Sequence, residues 1–178
     1  DNVDVIFIEA VHPEHNTLAA YGWIKKGQKR CRKTNRGRGR LSLHGAINAE
    51  SMDMTVIESA TINRDSTTQL LEIPDHKYFY AKEIVIILDN ARYHYSKEVM
   101  ALVEQSPRLK LVFLPPYSPE LNLIERVWHF FKKKVLYNKY YEGLGKFREA
   151  SIEFFRNIAQ HQDELASLLS GGFEGHCT

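Results

Sequence analysis

Apolar residues recur along this chain with two periods, and the alternation between them predicts its elements. Asp4-Val-Ile-Phe-Ile-Glu9-Ala-Val11 is rich in β-branched and aromatic residues and reads as a buried strand. Tyr21-Gly-Trp-Ile24 reads as a second strand. The stretch 25–40, all polar or glycine except for one cysteine, reads as a loop or extended hairpin tip. Leu41–Asn48 and Met54–Ala60 read as further strands, with Ala49-Glu50-Ser51 turning between them. Asn63 or Asp65 can cap a helix running to about Ile73. Glu83-Ile-Val-Ile-Ile-Leu88 is the strongest strand signal, its unbroken apolar run suiting a central strand covered on both faces. Ser96 caps a helix to about Gln105, Pro107 helps to stop it, and Leu109–Leu114 is another strand. Helices then follow from about Leu123 to Tyr137, Lys146 to Ala159 and Asp163 to Leu169. Strands first, then strand alternating with helix, predict an α/β domain with a mixed sheet flanked by helices.

Composition narrows the class. The 178 residues suit a single domain over 1–178 with a real core, 43% hydrophobic and 26% charged. No apolar run approaches the roughly 20 residues that span a bilayer, which predicts a protein without a membrane partner. Cys31 and Cys177 fit neither a disulfide framework nor a zinc site, so a cytoplasmic setting is expected. The chain opens on Asp1-Asn2-Val3-Asp4 without Met, as a fragment of a longer protein would.

The net charge of +2 conceals an asymmetry. Residues 25–40 hold nine of the 24 Lys and Arg and no acid, leaving 15 cations against all 22 acids elsewhere. A cationic segment on an acidic body points to a local polyanion contact, set against the plainer reading of a solvated loop.

Three carboxylates fall at element ends. Along the first strand Val5, Phe7, Glu9 and Val11 share one face, so Glu9 is an acid on an apolar face. Burying it unpaired would cost several kcal/mol, which makes a cation its natural partner. Asp89 directly follows the strongest strand, at the end where α/β sheets place ligands. Glu125 lies in the first turn of the next long helix, where an acid can also simply offset the helix dipole. On that helix Ile124, Val127, Phe131 and Val135 form the apolar stripe, while Glu125 shares a face with Trp128, His129 and Lys132.

The wording around these acids carries more. Asp89-Asn90-Ala91-Arg92-Tyr93-His94, then Leu114-Pro-Pro-Tyr-Ser-Pro-Glu-Leu-Asn122-Leu-Ile-Glu125-Arg-Val-Trp128, strongly resembles the catalytic core of DDE transposases. More narrowly it resembles bacterial insertion-sequence transposases related to the Tc/mariner superfamily. Phe7-Ile8-Glu9-Ala10-Val11-His12-Pro13 stands where that family has its first catalytic acid, and the resemblance covers about residues 4–140. It implies an RNase H-like fold and Mg²⁺, with Mn²⁺ as substitute, held by Glu9, Asp89 and Glu125. The implied chemistry is DNA cleavage and strand transfer between transposon ends and a target by a homodimer in a prokaryotic, nucleoid-associated setting. It also implies an N-terminal DNA-binding region outside this chain. Oxygen-only ligands suit Mg²⁺, and three acids suit a two-metal phosphodiester site.

Around that set His94 is expected to orient a metal ligand or phosphate, and Asn90 and Asn122 to brace the loops carrying Asp89 and Glu125 through backbone hydrogen bonds. Lys29, Arg30, Arg32, Lys33, Arg36, Arg38, Arg40, Lys132 and Lys133 are expected on DNA phosphates. Trp128 reads as core rather than a stacking surface.

One position departs from the family, which has Asp where this chain has Glu9. The extra methylene moves the carboxylate by roughly an ångström, against a tolerance of about 0.5 Å for catalytic groups. Two rivals follow: a DNA-binding module with impaired chemistry, and another RNase H-like nuclease acting on RNA–DNA hybrids or junctions.

Overall fold

The computed structural model describes residues 2–20, 25–27, 31, 33–116 and 118–170. Its central strand is β1 (Val3–Val11). On one side β1 pairs antiparallel with β4 (Leu43–Asn48), Glu9 opposite Gly45, and β4 pairs antiparallel with β5 (Met54–Glu58). On the other side β1 runs parallel to β6 (Glu83–Leu88), which runs parallel to β7 (Leu109–Phe113). The resulting order is β5-β4-β1-β6-β7, the mixed sheet that the pattern predicts. A separate ribbon joins β2 (Glu14–Asn16) to β3 (Arg36–Arg40), so the end of the basic stretch is strand rather than loop. The expected strand over 21–24 lies outside the described residues.

Strand alternation sorts the core into two layers. Phe7 and Val11 of β1 with Leu43 and Ile47 of β4 face α3 (Leu123–Phe131), α4 (Leu144–Arg156) and α5 (Gln162–Ser170). Ile6, Ile8, Ala46, Ile84, Ile86 and Leu88 point the other way, onto α1 (Arg64–Lys77) and α2 (Lys97–Gln105). Glu9 therefore lies on the α3 face, as its register predicts.

Local chemistry explains the helix ends. The Asn63 side chain accepts from the Asp65 and Ser66 amides, and Ser66 Oγ accepts from the Asn63 amide. The helix then continues past the expected stop at Ile73, because Pro74 in its last turn gives up only one intrahelical bond. Ser96 caps α2 through the Val99 amide. The long helix expected over 123–137 is α-helical only to Phe131. Lys132–Leu136 continue it as a π-turn, and Asn138 follows with φ +56°.

Gly45 sets the distance between β4 and α3. A Cβ there would lie 2.6 and 2.7 Å from Cη2 and Cζ2 of Trp128 and 3.2 Å from Cδ1 of Ile124. Trp128 is a core residue, as expected, and its packed ring has nowhere to retreat. Gly45→Ala should thus push α3 outward, costing about 1–3 kcal/mol as overpacking does. At roughly 2–4 °C per kcal/mol for a domain of this size, thermal melting should fall by several degrees. A melting curve identical to the unsubstituted chain would show that the ring yields.

Candidate metal and nucleic-acid site

Parallel pairing of β1 and β6 brings the Glu9 end of one strand beside the Asp89 end of the other. Glu125, in the first turn of α3, packs over the same strand ends. Glu9 and Glu125 stand within hydrogen-bonding reach of each other. The Glu9 carboxyl is pushed up to about 8, by burial first, then by Glu125 and by the charge of Asp89, with Lys132 working against them. Asn122 Nδ2 donates to Glu9 Oε2 at 3.1 Å. As the N-cap residue of α3, Asn122 makes no side-chain cap. Its donor goes to the Glu9 carboxyl, and not to a backbone carbonyl as expected.

Asp89 is held differently. The His94 ring donates from Nε2 to Asp89 Oδ1 at 3.1 Å, and the Ala91 amide donates to the same oxygen at 3.1 Å. These bonds, that of His94 foremost, keep Asp89 below the usual carboxylate range. Both fall on Oδ1, so Oδ2 carries no hydrogen bond among the described residues. His94 is 1% exposed, lodged in the short turn Arg92–Tyr95 between β6 and α2. Asn90 braces backbone, as expected, donating to the Leu114 carbonyl. Its Oδ1 in turn accepts from Tyr95 Oη, and Tyr95 stacks on Phe113 with centroids 4.3 Å apart. Tyr95 ties the loops after β6 and β7 together, yet in sequence it is merely an exposed tyrosine.

Among the described residues no three His, Cys, Asp or Glu side chains stand close enough to hold one ion. What the structure brings together is a Glu9–Glu125 pair, with Asp89 near enough for its charge to be felt and anchored to His94. The donor chemistry nonetheless fits a divalent cation. The donors are all oxygen, and Glu9's pKa is raised by burial and by the neighbouring acids Glu125 and Asp89, more than Lys132 offsets.

Among the expected phosphate contacts, Lys132 is half-buried beside Glu9, and Lys133 and Arg40 are exposed. Lys33 lies over the Tyr140 ring, 5.9 Å from its centroid. Lys29, Arg30 and Arg32 lie outside the described residues, as do the side chains of Arg36 and Arg38. Residues 15–20, ahead of the basic stretch, are docked on the chain after the π-turn. Thr17 Oγ1 donates to the Lys139 carbonyl, the Ala20 amide donates to Asn138 Oδ1, and the Asn138 amide donates to the Leu18 carbonyl. His15 serves this anchorage rather than the acids, bonding the Tyr141 carbonyl and stacking on Phe147. His12 is exposed and bonds Ser42 Oγ. A groove of about 1260 Å³ between α3 and α5 begins at Glu125 and runs past His129 and Lys133.

Residues 4–148 match a family described as DDE superfamily endonuclease. The chain is 25% identical over 124 residues to an uncharacterized 39 kDa protein of insertion element IS630 from Shigella sonnei, a match covering 70% of this chain and 36% of that protein. It is 40% identical over 58 residues to the uncharacterized protein y4pE/y4sA of Sinorhizobium fredii, covering 33% and 40%. The chain thus spans less than half the length of these relatives. In structure it resembles the Mos1 mariner paired-end complex with Mn, at TM-score 0.63 and 14% identity over 94% of this chain and 55% of that one. It also resembles the HTLV-2 integrase catalytic core domain in complex with magnesium, at TM-score 0.56 and 14% identity over 88% and 84%. These likenesses show a shared fold, the RNase H-like sheet with its flanking helices.

Proposed function

The chain belongs to the DDE superfamily endonucleases, and from that premise we propose that it is the catalytic domain of a Tc/mariner-type transposase. The observation that carries this is the Glu9–Glu125 pair at the strand ends beside Asp89, where burial and the crowding of the three carboxyl groups hold Glu9 well above the usual carboxylate range. Residues 1–178 act as one catalytic domain that cuts DNA phosphodiesters and joins a freed end to a target.

Glu9, Asp89 and Glu125 would hold Mg²⁺, or Mn²⁺ in its place. When bound, such ions activate the attacking oxygen and stabilise the leaving one. The chain's own residues set the stage for that. Asn122 orients Glu9 through Oε2, His94 orients Asp89 through Oδ1, and Asn90 with Tyr95 stiffens the loop between them. Lys132 and Lys133 continue the Glu125 helix as phosphate contacts. Lys29, Arg30, Arg32, Lys33, Arg36, Arg38 and Arg40 bind DNA phosphates without reading bases. The likeness in fold to the Mos1 mariner paired-end complex supports transposon ends as substrate and a homodimer as the working form. The bacterial relatives support a prokaryotic cytoplasm close to the nucleoid. No helix among the described residues is long and apolar enough to cross a membrane.

Glu9 itself favours a second reading, a DNA-binding module with impaired chemistry. Nicking of supercoiled plasmid separates the two. The transposase reading expects nicks in Mg²⁺ or Mn²⁺ and none in EDTA. Salt-sensitive binding without nicking in either metal would select the impaired module, and nicking that survives EDTA would sink the metal reading.

A further inference from the structure

The turn Arg92–Tyr95, between β6 and α2, presents two different faces. Its third residue, His94, points into the protein and holds Asp89. Arg92 and Tyr95 are its first and last residues, and both are exposed. In a 3₁₀ turn, side chains three residues apart eclipse, about 6 Å apart along the axis, so this cation and this ring share the outer face.

The ring is fixed on two sides. Phe113 stacks against one face of it, with centroids 4.3 Å and planes 14° apart. Tyr95 Oη donates to Asn90 Oδ1 at 2.7 Å, and Asn90 is tied in turn to the Leu114 carbonyl. Yet 49% of Tyr95 remains exposed, which leaves its outer face to solvent. A ring already stacked and hydrogen-bonded in place is a preorganised surface, so a partner that stacks on it has little left to order. Arg92 complements it, since its guanidinium has no hydrogen bond or ion pair with any described residue. Asn90, to which the ring is bonded, directly follows Asp89, so both groups stand at the rim of the acid cluster.

We infer that Arg92 and Tyr95 form a binding site for one unpaired nucleotide beside the acid cluster, its base stacked on the open face of Tyr95 and its phosphate held by Arg92. The nucleotide is unpaired because inside a duplex both faces of a base are already covered by its neighbours. A guanidinium fork matches phosphate oxygens, and a flat ring matches the face of any base. Stacking is blind to base identity, so the site tolerates any sequence. That the nucleotide belongs to DNA rests on the proposed function, whereas the stacking site itself does not.

The test is binding in EDTA, where metal-dependent cutting cannot intrude. The probes are a blunt DNA duplex and the same duplex with a single-stranded overhang, which carries a fluorescent adenine analogue that is quenched on stacking. The unsubstituted chain should bind the overhang probe more tightly than the blunt one and quench the analogue. Tyr95→Leu should lower overhang affinity about tenfold and abolish the quenching, with blunt-duplex affinity little changed. Tyr95→Phe keeps the ring and loses only the bond to Asn90, so it should retain both properties. A residue that merely tied two loops would lose them equally in both variants. Arg92→Gln should make the salt dependence of overhang binding shallower by about 0.7 in log–log slope. Should the Leu variant not fold, Tyr95→Trp takes its place, and its larger ring should tighten overhang binding. Equal affinity for the two probes in the unsubstituted chain, quenching that survives Tyr95→Leu or is lost in Tyr95→Phe, no tightening by Tyr95→Trp, or an unchanged slope in Arg92→Gln overturns the inference. Tyr95-dependent quenching by a chain that nicks DNA in neither Mg²⁺ nor Mn²⁺ would sink the transposase reading and leave this site standing. Nicking without such quenching would do the reverse.

Discussion

Asp89→Asn should lower metal-dependent DNA cleavage by at least about a thousandfold, some 4 kcal/mol of barrier, while leaving the melting temperature nearly unchanged. The amide keeps an oxygen where Oδ1 stands, so the His94 ring and the Ala91 amide retain their acceptor. What it loses is the negative charge and the basicity of the second oxygen, the properties a divalent cation requires. Asp89→Ala should abolish cleavage as well but at a cost in stability. It strands the buried Nε2–H of His94, a penalty of about 1–3 kcal/mol that relief of repulsion on Glu9 only partly offsets. The pair of variants therefore separates charge from scaffold: both inactive, only the alanine destabilised. An Asn variant that cleaves at more than about a tenth of the normal rate would remove Asp89 from the chemistry.

The second large effect is a dependence of stability on pH that divalent cations should reverse. Glu9's carboxyl is raised from 4.5 to about 8, chiefly by burial and then by Glu125 and Asp89. A carboxyl with a higher pKa folded than unfolded supports the fold while protonated. Its contribution is complete below 4.5 and is lost as pH rises towards 8. His44, lowered from 6.5 to about 4 by burial and by His94, acts in the opposite sense, its contribution present above 6.5 and lost as pH falls. The two oppose each other below 6.5, so the loss due to Glu9 should emerge alone between pH 6.5 and 8. Asp89, whose pKa is lowered, stays ionised throughout that window.

Glu9 is only half-buried, so solvent screening reduces the expected loss to about 1–2 kcal/mol. In EDTA, melting should therefore drop by about 3–6 °C from pH 6.5 to 8.0. Glu9→Gln should flatten this slope and raise melting at pH 8.0. Mn²⁺ should stabilise more at pH 8.0 than at 6.5, because at the lower pH it must displace a proton from Glu9. Equal slopes for Glu9→Gln and the unsubstituted chain would show that Glu9 is not the group responsible.

Much of this protein was legible from residue order alone. Strand period placed β1, β4, β6 and β7 within a few residues, because alternation along a strand is set by the backbone and needs no partner. Side-chain capping likewise marked Asn63 and Ser96, since a cap bonds amides only two or three residues away. The acids at positions 9, 89 and 125 stood out through their element ends and the motif around them. The strand pairing of Arg36–Arg40 did not, because a run of Arg and Gly has no apolar alternation and finds its partner only when Glu14–Asn16 is brought alongside.

What folding alone decided is how those acids are divided. Nothing in the order of residues says that Glu9 would stand within hydrogen-bonding reach of Glu125 while Asp89 is gripped by His94, since those contacts join positions far apart in the chain. The same is true of Asn122, whose local signal is a helix cap and whose actual partner, Glu9, is 113 residues away. Gly45 and His44 are adjacent on one strand and read alike as ordinary strand residues. Pleating sends one to Trp128 on the α3 face and the other to His94 on the opposite face. Residue order can reveal what a side chain does to its own turn or strand. Which charge it meets, and in what dielectric, is set by the packing of the two helical layers onto the sheet.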